Sequence, residues 1–367
     1  MSKYFLVFMI GIPLLIFSCQ KGAVNQKNLS EVDDLYDSEF PQTPVSEELE
    51  EIIESLHLIS ILSFYRSYHF TEDMEIFKKD LAANNLKDQA IESVVFEQPA
   101  SGTATLIYLD RSKIVFLTCA HIVNFPDTIM TYFKDAAGLD TESIQSLVIK
   151  VRQTNNIINQ PIAYNFEILA MDEEQDLALI GKDFSQMGTF GFTDKLDNSA
   201  LSSLKVFNRT LGKSKELQWG TFVYLAGFPQ AKKMVSTAIV SNPDYDNNYS
   251  FILDATLQKG ISGGIVLALR DGPPNFELVG IATGISGKSE FQIVPENNIP
   301  LSEWDLYKPY SGDLYLRKKD IPAPGMIFAT GIENILSFIR DTILFVTSSG
   351  GLESTFAVSF NIFLPER

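Results

Sequence analysis

Basic residues are scarce in this 367-residue chain, and cysteine and histidine are scarcer still. Lysine and arginine number 29 against 46 acidic residues, so the formal net charge is −17. This charge argues against binding to nucleic acid and against general attraction to anionic lipid. The 2 cysteines and 3 histidines form no Cys/His cluster of the kind that holds zinc, so no metal site is predicted. Apolar residues make up 45% of the chain, which allows a large core.

The N-terminus is typical of an export signal, assigned to residues 1–18. Lys3 supplies a positive charge, and residues 4–17 form an apolar run that is short for a membrane-spanning helix. The run ends in Ile16-Phe17-Ser18-Cys19, which resembles the bacterial lipobox. The resemblance implies cleavage before Cys19, acylation of its thiol, and a lipoprotein of the bacterial cell membrane or outer membrane. An uncleaved anchor or a signal without lipid is the alternative, and either also takes the chain out of the cytoplasm.

The next two segments contain no catalytic motif. Residues 19–45 are polar and acidic without apolar periodicity, which predicts a disordered tether. Residues 46–95 are predicted to be a helical extension. Ser46 suits an N-cap, apolar residues recur at helical spacing over 49–62, and a second helix is expected over about 71–85.

From about residue 96 the pattern becomes that of β-strands. Short apolar runs alternate with polar turns, which is typical of an all-β barrel or sandwich. Residues 102–109 predict one strand. Residues 114–118 predict a buried strand that delivers His121 at its end.

A serine between glycines is the centre of the predicted chemistry. Lys259-Gly260-Ile261-Ser262-Gly263-Gly264 predicts a tight turn on which backbone N–H groups converge. A serine hydroxyl needs a base, and His121 is the only histidine after residue 69. Asp176 heads an apolar run and could orient that histidine. The adjacent Cys119 is interpreted as a small buried apolar residue, with a redox role as the alternative.

At these residues the sequence resembles the chymotrypsin-fold serine proteases, most of all the bacterial trypsin-like branch that includes the HtrA (DegP-type) proteases. The resemblance implies a mainly β fold with two six-stranded barrels, near 96–190 and 200–300, within a protease domain over 96–340. The matching segments are Thr118-Cys119-Ala120-His121, Asp176-Leu177-Ala178-Leu179-Ile180, Leu225-Ala226-Gly227-Phe228-Pro229, Asp254 to Gly264, and Val279-Gly280-Ile281-Ala282-Thr283-Gly284.

The resemblance also implies roles for individual residues. His121 is the general base and then the acid, Asp176 orients it, and Ser262 is the nucleophile. The backbone N–H groups of Gly260 and Ser262 form the oxyanion hole. The Thr283 hydroxyl occupies the position that supports the triad aspartate. No metal or organic cofactor is implied.

The expected substrate pocket is uncharged. Thr256 falls at its base, six residues before the serine, and Ala282, Thr283 and Gly284 line a wall. A neutral base disfavours Arg or Lys before the scissile bond and favours a small or medium apolar residue. Residues 285–324, polar and proline-containing, are expected to be an inserted loop beside the cleft. Residues 341–367 form a C-terminal extension too short for the PDZ domain that usually ends HtrA chains.

The residues and the resemblance together predict an exported, lipid-anchored serine endopeptidase acting on protein or peptide substrates. The alternative is a non-catalytic surface lipoprotein that uses a protease fold as a protein-binding module. The bulky Ile261 before the serine and Ile265 after the glycine pair favour that alternative. An esterase with the same triad is the third hypothesis, and the chain order of the triad disfavours it.

Overall fold

The computed structural model describes residues 35–82, 86–110, 113–136, 138–158, 165–183, 203–255, 260–295 and 314–348. The export signal, Cys19 and Thr256 lie outside these ranges. The α-helices within them are α1 Ser46–Ile53, α2 Ala120–Val123 and α3 Ile332–Ser348. None of the helices in this part of the chain is long and apolar enough to span a membrane.

The first sheet is built from seven antiparallel strands. They are β1 Leu56–His69, β2 Glu92–Leu109, β3 Lys113–Thr118, β4 Thr128–Lys134, β5 Asp140–Ile158, β6 Glu167–Asp172 and β7 Leu177–Asp183. Their order is β4-β5-β1-β2-β3-β7-β6, and the sheet curves into a half-barrel. β3 is buried along its whole length, as its apolar run predicts for a strand with neighbours on both edges.

The second sheet closes into a barrel. Its strands are β8 Thr210–Leu211, β9 Phe222–Gly227, β10 Met234–Asn242, β11 Phe251–Asp254, β12 Ile265–Leu269, β13 Phe276–Pro295 and β14 Leu314–Gly331. Six strands follow one another as β12-β9-β10-β11-β14-β13, and β13 pairs back onto β12. The short β8 adds to β13 in parallel. The expected mainly β fold with two barrel-like sheets is confirmed, with seven strands instead of six in the first.

The helical extension predicted over 46–95 is wrong. α1 ends at Ile53, and β1 then runs between β2 and β5 as a central strand of the first sheet. Residues 56–59 are all buried, and buried positions alternate beyond them. A strand with this pattern also places apolar residues three and four positions apart. The spacing therefore did not distinguish a helix from a strand. The expected second helix is replaced by short 3₁₀ turns at Glu72–Met74, Lys78–Ala82 and Leu86–Gln89.

Part of the predicted tether is ordered against the second barrel. We call residues 35–45 the N-terminal strap. Tyr36 forms a β-bridge with Arg270, and the Asp37 N–H donates to the Leu269 carbonyl at 2.9 Å. The Tyr36 hydroxyl donates to Glu277 Oε2 at 2.7 Å, and the Arg270 guanidinium lies 4.1 Å from the centroid of the Tyr36 ring. These contacts involve backbone groups and a buried polar network, which the acidic composition of the segment did not indicate.

The expected loop 285–324 is strand at both ends. β13 and β14 pair from Gly280–Gly331 out to Pro295–Leu314, which makes one long hairpin beyond the barrel. Residues 296–313, between the two strands, lie outside the described residues. The prolines at 322 and 324 fall within β14, where proline is tolerated when its position is not required to donate to a neighbouring strand.

Candidate active site

The His121 imidazole is held by Asp176. Nδ1 of the ring lies 2.7 Å from Oδ2 of the carboxylate, and the His121 backbone N–H donates to Oδ1 at 2.8 Å. The register of two strands explains why His121 and Asp176 come together. β3 and β7 pair as far as Thr118–Ala178, so the residues just beyond each strand end come together. The turn before β7 leaves Asp176 at a positive φ of 55°, a conformation that aspartate tolerates better than most residues.

This arrangement fixes the tautomer of the histidine. An ionised carboxylate only accepts hydrogen bonds, so the proton of the His121–Asp176 contact resides on Nδ1. Nε2 then carries a lone pair and can act as a base. The His121 side chain is 50% exposed and that of Asp176 is 25% exposed, so the ring reaches solvent while its partner is partly covered.

Ser262 lies on a turn that requires glycine at two positions. Gly260 has a φ of 102° and Gly263 a φ of 81°. A Cβ at 260 would overlap the Phe228 carbonyl oxygen, and a Cβ at 263 would overlap that of Thr103. Within the described residues, neither the Gly260 nor the Ser262 amide donates to a protein acceptor. The oxyanion hole that the resemblance implies at these two amides stays a prediction.

Thr103, which sequence reasoning treated only as a strand residue, connects this turn to the first sheet. Its backbone N–H donates to the Ser262 carbonyl at 2.8 Å. Its hydroxyl donates to the Gly260 carbonyl at 3.1 Å and accepts from the Phe228 N–H at 2.8 Å. The side chain is fully buried, so these bonds are shielded from water. The small residues of Ser101-Gly102-Thr103 were the only signal in the sequence for this close approach.

The expected support of Asp176 by Thr283 is not formed. A bulge between Ala282 and Gly284 in the β13–β14 pairing accompanies a different bond, in which the Thr283 hydroxyl donates to the Phe328 carbonyl at 3.3 Å. The Cys119 thiol instead lies beside Asp176, within 4.8 Å of its carboxylate.

Cys119 is fully buried, as predicted, and its thiol donates to the Ala282 carbonyl at 3.3 Å. Burial raises the pKa of this thiol well above its ordinary value, and the charge of Asp176 raises it further. The thiol therefore keeps its proton at neutral pH. Ala282 also accepts the Gly263 N–H at 2.7 Å, so one carbonyl links the histidine segment to the serine turn.

Among the described residues, one group of potential metal ligands is close enough to share an ion, namely Cys119, His121 and Asp176. The thiol is protonated and buried, and both oxygens of Asp176 accept hydrogen bonds from His121. These groups satisfy one another as a hydrogen-bonded set. Their contacts are those of an oriented base.

The structure brings His121, Asp176 and Ser262 into one region. Among the described residues, no hydrogen bond joins Ser262 to the His121 ring. Such bonds are often long or poorly aligned in ligand-free sites. Of the predicted pocket, Ala282 is fully buried. Among the described residues, no atom lies within 4 Å of the position that a Cβ on Gly284 would occupy. Thr256 lies outside the described residues.

Comparison with known proteins gives one matching family and a set of similar solved structures. Residues 102–281 match the family described as the trypsin-like peptidase domain. The comparison with curated proteins gave no match. Among solved structures, the chain is similar to the serine endoprotease from Yersinia pestis, with 15% identity, a TM-score of 0.35, and coverage of 83% of this chain and 68% of the other. It is also similar to the Rv3671c protease from M. tuberculosis in its active form, with 10% identity, a TM-score of 0.35, and coverage of 82% and 92%.

Two antiparallel β sheets, a carboxylate-held histidine and a glycine-flanked serine define a protein of the chymotrypsin fold. The family match runs from Gly102 in β2 to Ile281 in β13 and includes all three of these residues. The chain carries a trypsin-like peptidase domain of the chymotrypsin fold over residues 102–281.

Proposed function

We propose that the chain is an exported serine endopeptidase that cleaves peptide bonds through an acyl-enzyme intermediate. The observation that carries the proposal is the double contact of the Asp176 carboxylate with the ring and the backbone of His121. This contact leaves a basic nitrogen on the side of the ring away from Asp176. It orients a base in the region where the Ser262 turn meets the first sheet.

The proposed reaction has two halves. His121 Nε2 takes the proton of the Ser262 hydroxyl while Oγ attacks the substrate carbonyl carbon, and the Gly260 and Ser262 amides stabilise the resulting oxyanion. His121 gives that proton to the leaving amine as the C–N bond breaks, which leaves an ester on Ser262. A water molecule, deprotonated by His121, then attacks the ester. The second tetrahedral intermediate releases a carboxylic acid, and Ser262 regains its proton from His121.

Digestion of an unfolded protein tests the endopeptidase step. The full chain is incubated with reduced, carboxymethylated lactalbumin, and the fragments are sequenced by mass spectrometry. Internal fragments with two new ends are expected from the wild type and none from Ser262→Ala. Removal of terminal residues only, or hydrolysis of nitrophenyl esters without any peptide cleavage, would contradict the proposal. Lack of both activities in a folded sample would favour the binding-module alternative.

We propose a small or medium apolar residue before the scissile bond. The supporting observations are the apolar, buried Ala282 and the absence of any described atom within 4 Å of a Cβ built on Gly284. The fragment ends from the same digestion provide the measurement. Cleavage mainly after Ala, Val or Leu is expected, and cleavage mainly after Arg or Lys would refute the preference.

We propose that Cys19 carries the lipid that anchors the protein to a membrane. The supporting observation is the sequence Ile16-Phe17-Ser18-Cys19, which ends the apolar run and resembles the bacterial lipobox. Mass spectrometry of the N-terminal peptide is expected to show a thioether-linked diacylglycerol on Cys19. Cys19→Ala should abolish this mass and release the chain from membranes. An unmodified Cys19 in membrane-bound protein would contradict the proposal.

A further inference from the structure

One edge of β2 has no partner strand over ten residues within the described structure. On its other edge, β2 pairs with β1 from Thr105–Leu56 to Glu92–His69. On the edge opposite β1, β2 pairs with β3, and only from Thr105–Leu117 to Leu109–Ile114. We call residues 92–101 the β2 edge. An exposed row of unpaired backbone groups is a template for pairing with another extended chain.

The β2 edge is exposed on both faces as well as along its side. Every residue from 92 to 99 is exposed, although side chains alternate between the two faces of a strand. Val94, Val95 and Phe96 are 41%, 57% and 39% exposed. An apolar strand in this condition gains stability from an additional strand. Pro99 fits an edge position, because proline is tolerated where its missing N–H would point away from the sheet.

The β2 edge leads directly to the nucleophile. Two positions after it, the Thr103 N–H donates to the Ser262 carbonyl at 2.8 Å, on the side where β3 has left the sheet to reach His121. The Leu106 N–H donates instead to Ser55, on the β1 side. Odd-numbered residues therefore direct their backbone groups outward. Ser93, Val95, Glu97 and Ser101 supply the outward donors of the edge.

The chemistry indicates which part of a substrate reaches this edge. The acyl half is held by the Gly260 and Ser262 amides and by the Ala282–Gly284 segment of the second barrel. The leaving amine receives its proton from His121, which lies on α2 just after β3 of the first sheet. The residues after the scissile bond thus depart on the side of the first sheet. There they would run from Thr103 back towards Glu92, antiparallel to β2.

We propose that the β2 edge binds the C-terminal side of an extended substrate as an added antiparallel strand, well beyond the residues next to the scissile bond. The inference rests on the proposed endopeptidase function and deepens it. The substrate class is unfolded or locally extended polypeptide. Ten residues of strand are about 33 Å long, so the edge can bind a long segment without a separate binding domain.

A length series tests the inference. Fluorogenic peptides share one N-terminal half with an apolar residue before the scissile bond and carry C-terminal halves of two, six or ten residues. With the wild-type full chain, kcat/KM is expected to rise by about tenfold or more from the shortest to the longest, equivalent to about 1.4 kcal/mol of added transition-state binding. Equal kcat/KM across the series would overturn the inference. A β2 edge covered by another segment of the chain or by a second copy would also give this result.

Backbone substitution supplies a sharper readout on the wild-type protein. Each amide after the scissile bond in the longest peptide is replaced in turn by an ester, which removes one N–H. Because an added strand bonds through alternate residues, losses in kcat/KM are expected to alternate along the series. Losses without alternation, or confined to the first two positions, would overturn the proposal.

A matched pair of variants tests the edge itself. Val95→Pro removes an outward N–H, whereas Val95→Thr changes the same side chain and keeps the N–H. The proline variant alone is expected to lose the dependence on length. Both variants should react with a small fluorophosphonate at the wild-type rate, since that probe does not reach the edge. If the wild type is labelled by the fluorophosphonate but its kcat/KM does not depend on peptide length, this inference is refuted and the proposed function is not. Absence of labelling in the wild type would refute both.

Discussion

The buried hydroxyl of Thr103 links the serine turn to the Phe228 backbone. Thr103→Val removes the bonds to Gly260 and Phe228 and leaves two buried backbone groups unpaired. Loss of such a bond costs about 1–3 kcal/mol of unfolding free energy. Peptide hydrolysis should fall by about tenfold or more, because the Gly260 amide is a proposed oxyanion donor. Urea unfolding and kcat/KM measure the two effects.

Thr105→Val is the matched control on the same strand. Thr105 is 1% exposed, and its hydroxyl has no hydrogen-bond partner among the described residues. Replacing a buried unpaired hydroxyl with a methyl of similar shape should be neutral or slightly stabilising. Equal losses in the two variants would show that burial, and not the contact with the serine turn, determines the effect at Thr103.

At the scale of elements, the N-terminal strap is predicted to stabilise the second barrel through Tyr36. The Tyr36 hydroxyl donates to Glu277 and accepts from the Lys213 N–H at 2.8 Å. Tyr36→Phe should therefore cost about 1–3 kcal/mol of unfolding free energy. Tyr224→Phe is the control in the same barrel, because the buried Tyr224 hydroxyl has no partner among the described residues. A loss for Tyr224→Phe as large as that for Tyr36→Phe would contradict the assigned role of the strap.

At the scale of the whole molecule, stability is predicted to fall as the pH decreases from about 6.5. Burial lowers the pKa of His57 from 6.5 to about 4, and the charge of Lys233 contributes. Between these values the unfolded chain binds a proton that the folded chain does not, so acid favours unfolding. From pH 7 to pH 5 the loss from His57 is about 2 kcal/mol, at about 1.4 kcal/mol per pH unit below 6.5.

Urea unfolding of the wild type and His57→Gln measures this contribution. The wild type should lose about 2 kcal/mol more than the variant between pH 7 and pH 5. Between pH 7 and pH 8 the two should change in parallel, because His57 is neutral in both states there. Parallel curves down to pH 5 would show that His57 does not make the molecule acid-sensitive.

The contact between His121 and Asp176 and the tight turn at Ser262 were predictable because these residues lie in local sequence patterns. His121 follows a buried apolar strand, Asp176 precedes another, and Ser262 lies between glycines that the turn geometry requires. The prediction of many short strands succeeded for the same reason, since alternation and turn residues are local signals.

Errors arose where structure depends on distant partners. β1 is a strand because β2 and β5 pair with it on both edges, and its own spacing fits a helix equally well. The strap is ordered by Arg270 and Glu277, more than 200 residues away in sequence. The Thr283 hydroxyl donates to the Phe328 carbonyl at a bulge in the pairing of β13 with β14. No short sequence pattern predicts the register of that pairing.

Fluorophosphonate labelling of the full chain, with mapping of the modified residue, tests the central claim most directly. A serine activated by His121 and Asp176 should be labelled at Ser262 in the wild type and not in Ser262→Ala or His121→Ala. Asp176→Asn, which removes the acceptor that fixes the tautomer, should label slower by orders of magnitude, up to about 10⁴-fold. Labelling that persists in His121→Ala, or no labelling in a folded wild type, would contradict the account.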